Sequence, residues 1–118
     1  MGKKILIIDD DMTNRKLLKT IFNQKGYEVL EAENGLQGLE LLNEDIGIIF
    51  LDLIMPLMDG LKFLEVIKKE KPQFANIPII VLTTDDSKKT QALSAGAKEV
   101  IIKPINPVEI MEKVINYL

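Results

Sequence analysis

Ile5-Leu6-Ile7-Ile8 runs straight into Asp9-Asp10-Asp11, and the pattern returns at Ile48-Ile49-Phe50-Leu51-Asp52. Two more apolar runs end on polar residues: Ile79-Ile80-Val81-Leu82 on Thr83-Thr84, and Val100-Ile101-Ile102 on Lys103-Pro104. Continuous apolar runs, rather than alternating ones, are expected of parallel strands covered on both faces by helices. Open α/β sheets of this kind bind ligands outside the carboxyl ends of the strands. The four segments therefore predict one edge at which the carboxylates of Asp9, Asp10 and Asp52, the hydroxyl of Thr83 and the ammonium of Lys103 meet.

The segments between these runs have helical periodicity. Helix one is expected at 12–25, with Leu17, Leu18, Ile21 and Phe22 on one face and Gly26 as its stop. A strand at 28–32 follows, then helix two at 35–44 with Leu36, Leu39 and Leu42 inward. Gly38 inside that helix costs roughly 0.5–1 kcal/mol against Ala, as tolerated surface strain or as a tight helix–sheet contact. After the strand at 47–51, helix three runs to Lys71, burying Leu61, Leu64, Val66 and Ile67, with Asp59 as its cap and Pro72 beyond its end. Helix four is expected at 87–95, capped by Ser87, and helix five at 107–117, with Ile110, Met111, Val114 and Ile115 as its stripe. Five βα units with right-handed crossovers give a three-layer α/β sandwich.

The 118 residues favour one domain over 1–118, with nothing left for an output domain. No apolar stretch reaches the roughly 18 residues of a membrane span. Ile5–Ile8 is too short for a signal-peptide core, and Leu6 stands where a myristoylation motif at Gly2 needs Ser or Thr. A cytoplasmic location is the natural reading. The net charge of −3 and the absence of a long basic run speak against direct nucleic-acid binding. With no cysteine, thiol chemistry is excluded; with no histidine, the chain can carry neither a phosphohistidine nor an imidazole metal ligand.

Three acids at neighbouring strand ends repel one another unless a cation neutralises them. An oxygen-only donor set suits Mg²⁺ or Mn²⁺, not zinc. A carboxylate such as Asp52 can also attack phosphorus to give an aspartyl phosphate, chemistry that needs charge neutralisation more than acid–base groups. Lys103 is the obvious cation, and its peptide to Pro104 is a candidate for the cis form. The plainer readings are a solvated acidic turn at Asp9–Asp11, a surface lysine at 103 and a strand-favouring Thr83. At this point Thr83 and Thr84 compete for the hydroxyl role. Asp85 and Asp86 belong at the start of helix four, where they complement its dipole.

Taken in order, Ile-Leu-Ile-Ile-Asp9-Asp10-Asp11, Asp52-x-x-Met55-Pro56-x-x-Asp59-Gly60, Leu-Thr83, Gly96-Ala97 and Lys103-Pro104 resemble the response-regulator receiver domains of two-component signalling, over essentially the whole chain. The resemblance is to the free-standing chemotaxis-type and phosphorelay-type regulators. It implies a flavodoxin-like doubly wound sheet of order 2-1-3-4-5. It implies that Asp52 accepts a phosphoryl group from a phosphohistidine on a sensor histidine kinase or histidine phosphotransfer protein. Mg²⁺ would be held by Asp10, Asp52 and the backbone carbonyl of Ile54, with Asp9 acting mainly through water. Lys103 would pair with the phosphoryl oxygens and Thr83 would swing towards them. The helix 4–strand 5–helix 5 surface would then repack for a downstream protein target that the sequence does not identify.

This chain departs from the family pattern in two places. Val100 stands where a switch aromatic is common, and Thr84 where a small residue is common. Ile54 and Asp85 flank the phosphoryl position, and an apolar Ile54 would not position a hydrolytic water, so slow self-dephosphorylation is expected. Two other functions fit the fold class less well. An aspartyl-nucleophile phosphatase would often carry an acid two residues after the nucleophile, where Ile54 stands. A flavin carrier would need a Ser/Thr/Gly-rich phosphate loop where Asp9-Asp10-Asp11 stand.

Overall fold

The computed structural model describes residues 3–118. Met1 and Gly2, and with them the myristoylation question, lie outside it. The elements are β1 (Lys4–Ile8), α1 (Met12–Gln24), β2 (Val29–Ala32), α2 (Gly35–Leu41), β3 (Ile46–Asp52), α3 (Gly60–Glu70), β4 (Ile79–Thr83), α4 (Lys89–Ser94), β5 (Glu99–Ile102) and α5 (Pro107–Val114). Short 3₁₀ turns follow α3 and α5 and precede α4. The five strands are parallel in the order β2-β1-β3-β4-β5, as expected. Among the described residues no helix is long and apolar enough to cross a membrane.

Side chains alternate across a strand, so each apolar run feeds two cores. Leu6, Ile8, Ile49, Leu51 and Val81 pack with Phe63, Leu64 and Ile67 of α3 and Ala92 of α4. Ile5, Ile7, Ile48, Phe50, Ile80 and Leu82 pack with Leu18, Ile21 and Phe22 of α1 and Ile110 and Val114 of α5. Both faces are buried, which is why the runs are unbroken. The strands then stop together, and the first polar residue of each lies on one rim.

The helices differ from expectation in detail. α2 ends at Leu41 and turns Gly38, not Leu36, to the sheet, while Gly35 abuts Met58 of the loop after β3; Leu36 is exposed. A Cβ at Gly38 would stand 2.5 Å from Ile8 Cδ1 and 3.3 Å from Phe63 Cε2, so the glycine permits a close helix–sheet contact. Leu17 flanks the buried stripe of α1 and is exposed, as is Ile115, which falls in the 3₁₀ turn after α5. Phe63, absent from the expected face of α3, is fully buried. The segment before α4 is capped by Asp85, whose carboxylate accepts from Ser87 N, rather than by Ser87; α4 itself is only six residues long.

Candidate functional site

Asp9 is the first residue beyond β1, and its side chain is 1% exposed. Its Oδ1 accepts from Asp11 N at 2.9 Å, and its amide donates to Ala32 O of β2 at 3.1 Å. Asp11 is exposed and serves instead as the N-cap of α1, accepting from Thr13 N. Asp52, the last residue of β3, sits beside it because β1 and β3 are paired as far as Ile8↔Leu51. Oxygens of Asp9, Asp10 and Asp52 lie within 4.8 Å of one another. Lys103 reaches this cluster from the far side of the sheet, with Nζ 3.2 Å from Asp9 Oδ2 and 3.5 Å from Asp52 Oδ1. The Lys103–Pro104 bond that follows β5 is cis.

Burial pushes the Asp52 carboxyl up to about 6, and the Asp9 charge adds to the rise; Lys103 and the Ile54 amide oppose it. A cluster of this kind attracts positive charge. Its donors are all carboxylate oxygens, two buried and one exposed, the set a hard divalent cation takes while keeping positions for water or phosphate oxygens. The residues thus fit such an ion.

The loop after β3 shapes the mouth of the site. Ile54 N–H points to Asp52 Oδ1 across a long 3.4 Å, while the Ile54 side chain is 65% exposed. Leu57 has a φ of +68°, and Met58 N donates to Pro56 O at 2.8 Å, a tight turn that strains a non-glycine residue of this loop. Asp59 caps α3 by accepting from Lys62 N, the structural role expected of it.

Thr83 ends β4 and is buried, whereas Thr84 is exposed. This favours Thr83 as the inward hydroxyl. Thr83 Oγ1 accepts from Asp85 N at 3.1 Å, tying it to the loop before α4. Val100 is buried in the core beneath α4 and supplies no ring to the surface.

One further residue touches the backbone of the cluster. Arg15 of α1 is 7% exposed; its Nη1 donates to Asp9 O at 2.7 Å and its Nε to Glu31 Oε1 of β2 at 3.1 Å. The readable signal was a cation at 15 on the stripe that continues through Leu18 and Phe22.

A family model for the response regulator receiver domain matches residues 5–115. The chain belongs to that family, and with it to the signalling proteins of two-component systems. It is 37% identical over 115 residues to a chemotaxis protein CheY homolog of Campylobacter jejuni, covering 93% of this chain and 88% of that protein. Among solved structures it resembles the chemotaxis protein CheY4 of Vibrio cholerae, with a TM-score of 0.89, 28% identity and full coverage of both chains. It also resembles the response regulator TrrA of Thermotoga maritima in complex with Mg²⁺–BeF, with a TM-score of 0.83, 35% identity and coverage of 98% and 99%.

Proposed function

We propose that residues 1–118 form one receiver domain in which Asp52 is the phosphoryl acceptor. The observation that carries this reading is Asp52 itself, a carboxylate at the end of β3 set between the acids Asp9 and Asp10 and the ammonium of Lys103. A carboxylate oxygen of Asp52 attacks phosphorus. The P–N bond to a partner's phosphohistidine breaks, and its electron pair returns to the imidazole, which takes up a proton. The chain has no histidine, so the donor belongs to another protein, a sensor histidine kinase or a histidine phosphotransfer protein. In a phosphorelay the same carboxylate would pass the group onward.

Asp10, Asp52 and the Ile54 carbonyl would hold Mg²⁺ (Mn²⁺ being the closest substitute), with Asp9 behind them. When bound, the ion neutralises charge on the phosphoryl oxygens. Lys103 pairs with one of those oxygens, and Thr83 gives up the Asp85 amide to donate its hydroxyl to another. Releasing that amide frees the loop before α4, so the α4–β5–α5 surface becomes the face presented to a downstream protein. The domain turns over no separate substrate; it catalyses its own phosphorylation and, slowly, its own dephosphorylation. The cytoplasm, where histidine kinases present their phosphohistidine, is the setting.

The test is intact mass after incubation with acetyl phosphate and Mg²⁺. A gain of one phosphoryl group, lost on chelation and absent in Asp52→Asn, is expected. No gain in the wild-type protein would overturn the acceptor role.

A further inference from the structure

Arg15 is a buried cation on the otherwise apolar stripe of α1. A buried ion pair is weak evidence for stability, because desolvation offsets most of the attraction. Its geometry suggests another use. The guanidinium is a rigid planar fork, and its two short bonds go to different elements: Nε to Glu31 on β2, and Nη1 to the Asp9 carbonyl at the end of β1. Glu31 is held in turn by Lys16 at 2.9 Å and Lys19 at 3.5 Å, so the far end of the fork is anchored.

The Asp9 carbonyl is part of the planar peptide unit that joins Asp9 to Asp10. Holding that plane sets the Cα positions of two of the three clustered acids relative to each other and narrows the directions in which their side chains leave the backbone. The Asp9 amide is already held by Ala32 O, so the Arg15 bond closes the second side of the residue. We propose that Arg15 is a positioning residue for the divalent-cation site, setting the Asp9–Asp10 peptide plane from behind. This rests on the reading of the acidic cluster as a Mg²⁺ site.

The sign of the effect separates positioning from charge. Arg15 is a cation behind the cluster, so electrostatics alone would have its removal tighten Mg²⁺ binding. Positioning predicts the opposite. Mg²⁺ affinity is measured by isothermal titration calorimetry on wild type, Arg15→Met and Arg15→Lys, with thermal unfolding in chelator recorded beside it. Arg15→Met is expected to weaken binding about five- to tenfold. Arg15→Lys, which keeps the charge but not the fork, is expected to weaken it about threefold, at temperatures where both variants remain folded. Wild-type or tighter affinity in a folded variant would overturn the proposal. So would failure of both variants to fold, which would make Arg15 a stability element. A wild-type protein that binds no Mg²⁺ would overturn the metal-site reading instead, and the positioning role with it.

Discussion

Lys103 Nζ stands 3.2 Å from Asp9 Oδ2, closing a contact between residues 94 positions apart in the chain. The Asp9 side chain is 1% exposed, so the ammonium is its principal compensation in the metal-free protein. The same ammonium is 3.5 Å from Asp52 and restrains its repulsion from Asp9.

Lys103→Met should therefore destabilise the metal-free protein by about 1–3 kcal/mol, the cost of leaving a buried charge unpaired. Urea unfolding in chelator reads this. Mg²⁺ should bind at least as tightly as in wild type, because a competing cation is gone. Phosphorylation by acetyl phosphate should slow by roughly 10²-fold, since a charge aimed at the transferring group is lost. An unchanged rate would remove Lys103 from the chemistry.

Asp52 has a folded-state pKa of about 6, above its ordinary 3.8. A raised carboxyl pKa means that the folded protein holds the proton more tightly than the unfolded chain. Stability from this group is present at low pH and is lost as pH rises from about 4 through 6. Asp52→Asn should thus stabilise the metal-free protein at pH 7.5, by about 1–2 kcal/mol after solvent screening. The gain should shrink towards zero at pH 4. Denaturation at the two pH values in chelator decides, and Mg²⁺ should reverse the order by stabilising only the wild type strongly.

Ile54 exposes an aliphatic side chain at the mouth of the site, where nothing on it can orient water. The phosphorylated protein should persist for well beyond seconds in Mg²⁺. Ile54→Asn should shorten that lifetime by about tenfold, in keeping with the modest gains from positioning one water. Decay of the phosphorylated mass with time tests both.

Gly38→Ala improves helix propensity by about 1 kcal/mol, yet its Cβ meets Ile8 Cδ1 at 2.5 Å, and Ile8 is fully buried. Overpacking should win, for a net loss of about 1–2 kcal/mol. A rise in melting temperature would show that Ile8 can move aside.

In α4 Ala92 alone is buried, and the helix is six residues long. Elements with few buried contacts open first. Amide exchange should be fastest, among the five helices, in α4 and the 3₁₀ turn before it. Equal protection across all five would remove α4 as the moving part.

Much of this was legible in the sequence. Unbroken apolar runs fixed the strands, and the residue ending each run named Asp9, Asp52, Thr83 and Lys103, because strand ends on a parallel sheet share one rim. Facing was less legible. Leu36 has the size of a core residue but is exposed; the position of α2 that meets the sheet is Gly38, where a Cβ would stand 2.5 Å from Ile8 Cδ1. Asp85 rather than Ser87 is the cap because a 3₁₀ turn, which leaves no periodic signature in the sequence, precedes the helix. Arg15 shows in the sequence only as a cation on an apolar stripe, because its partners, a main-chain carbonyl and an acid on β2, come together only after folding.

Gly60 bears on how force leaves this site. A Cβ there would lie 2.6 Å from Asp52 O and 2.8 Å from Leu53 Cα, so α3 begins in direct contact with the main chain that carries the acceptor. On the opposite side, a single amide from Asp85 links Thr83 to the loop before a six-residue helix. The site is a vice with one jaw welded and the other on a light spring. A group arriving at Asp52 would find no slack on the α3 side, so under the proposed switch the α4 side is where the backbone has room to yield.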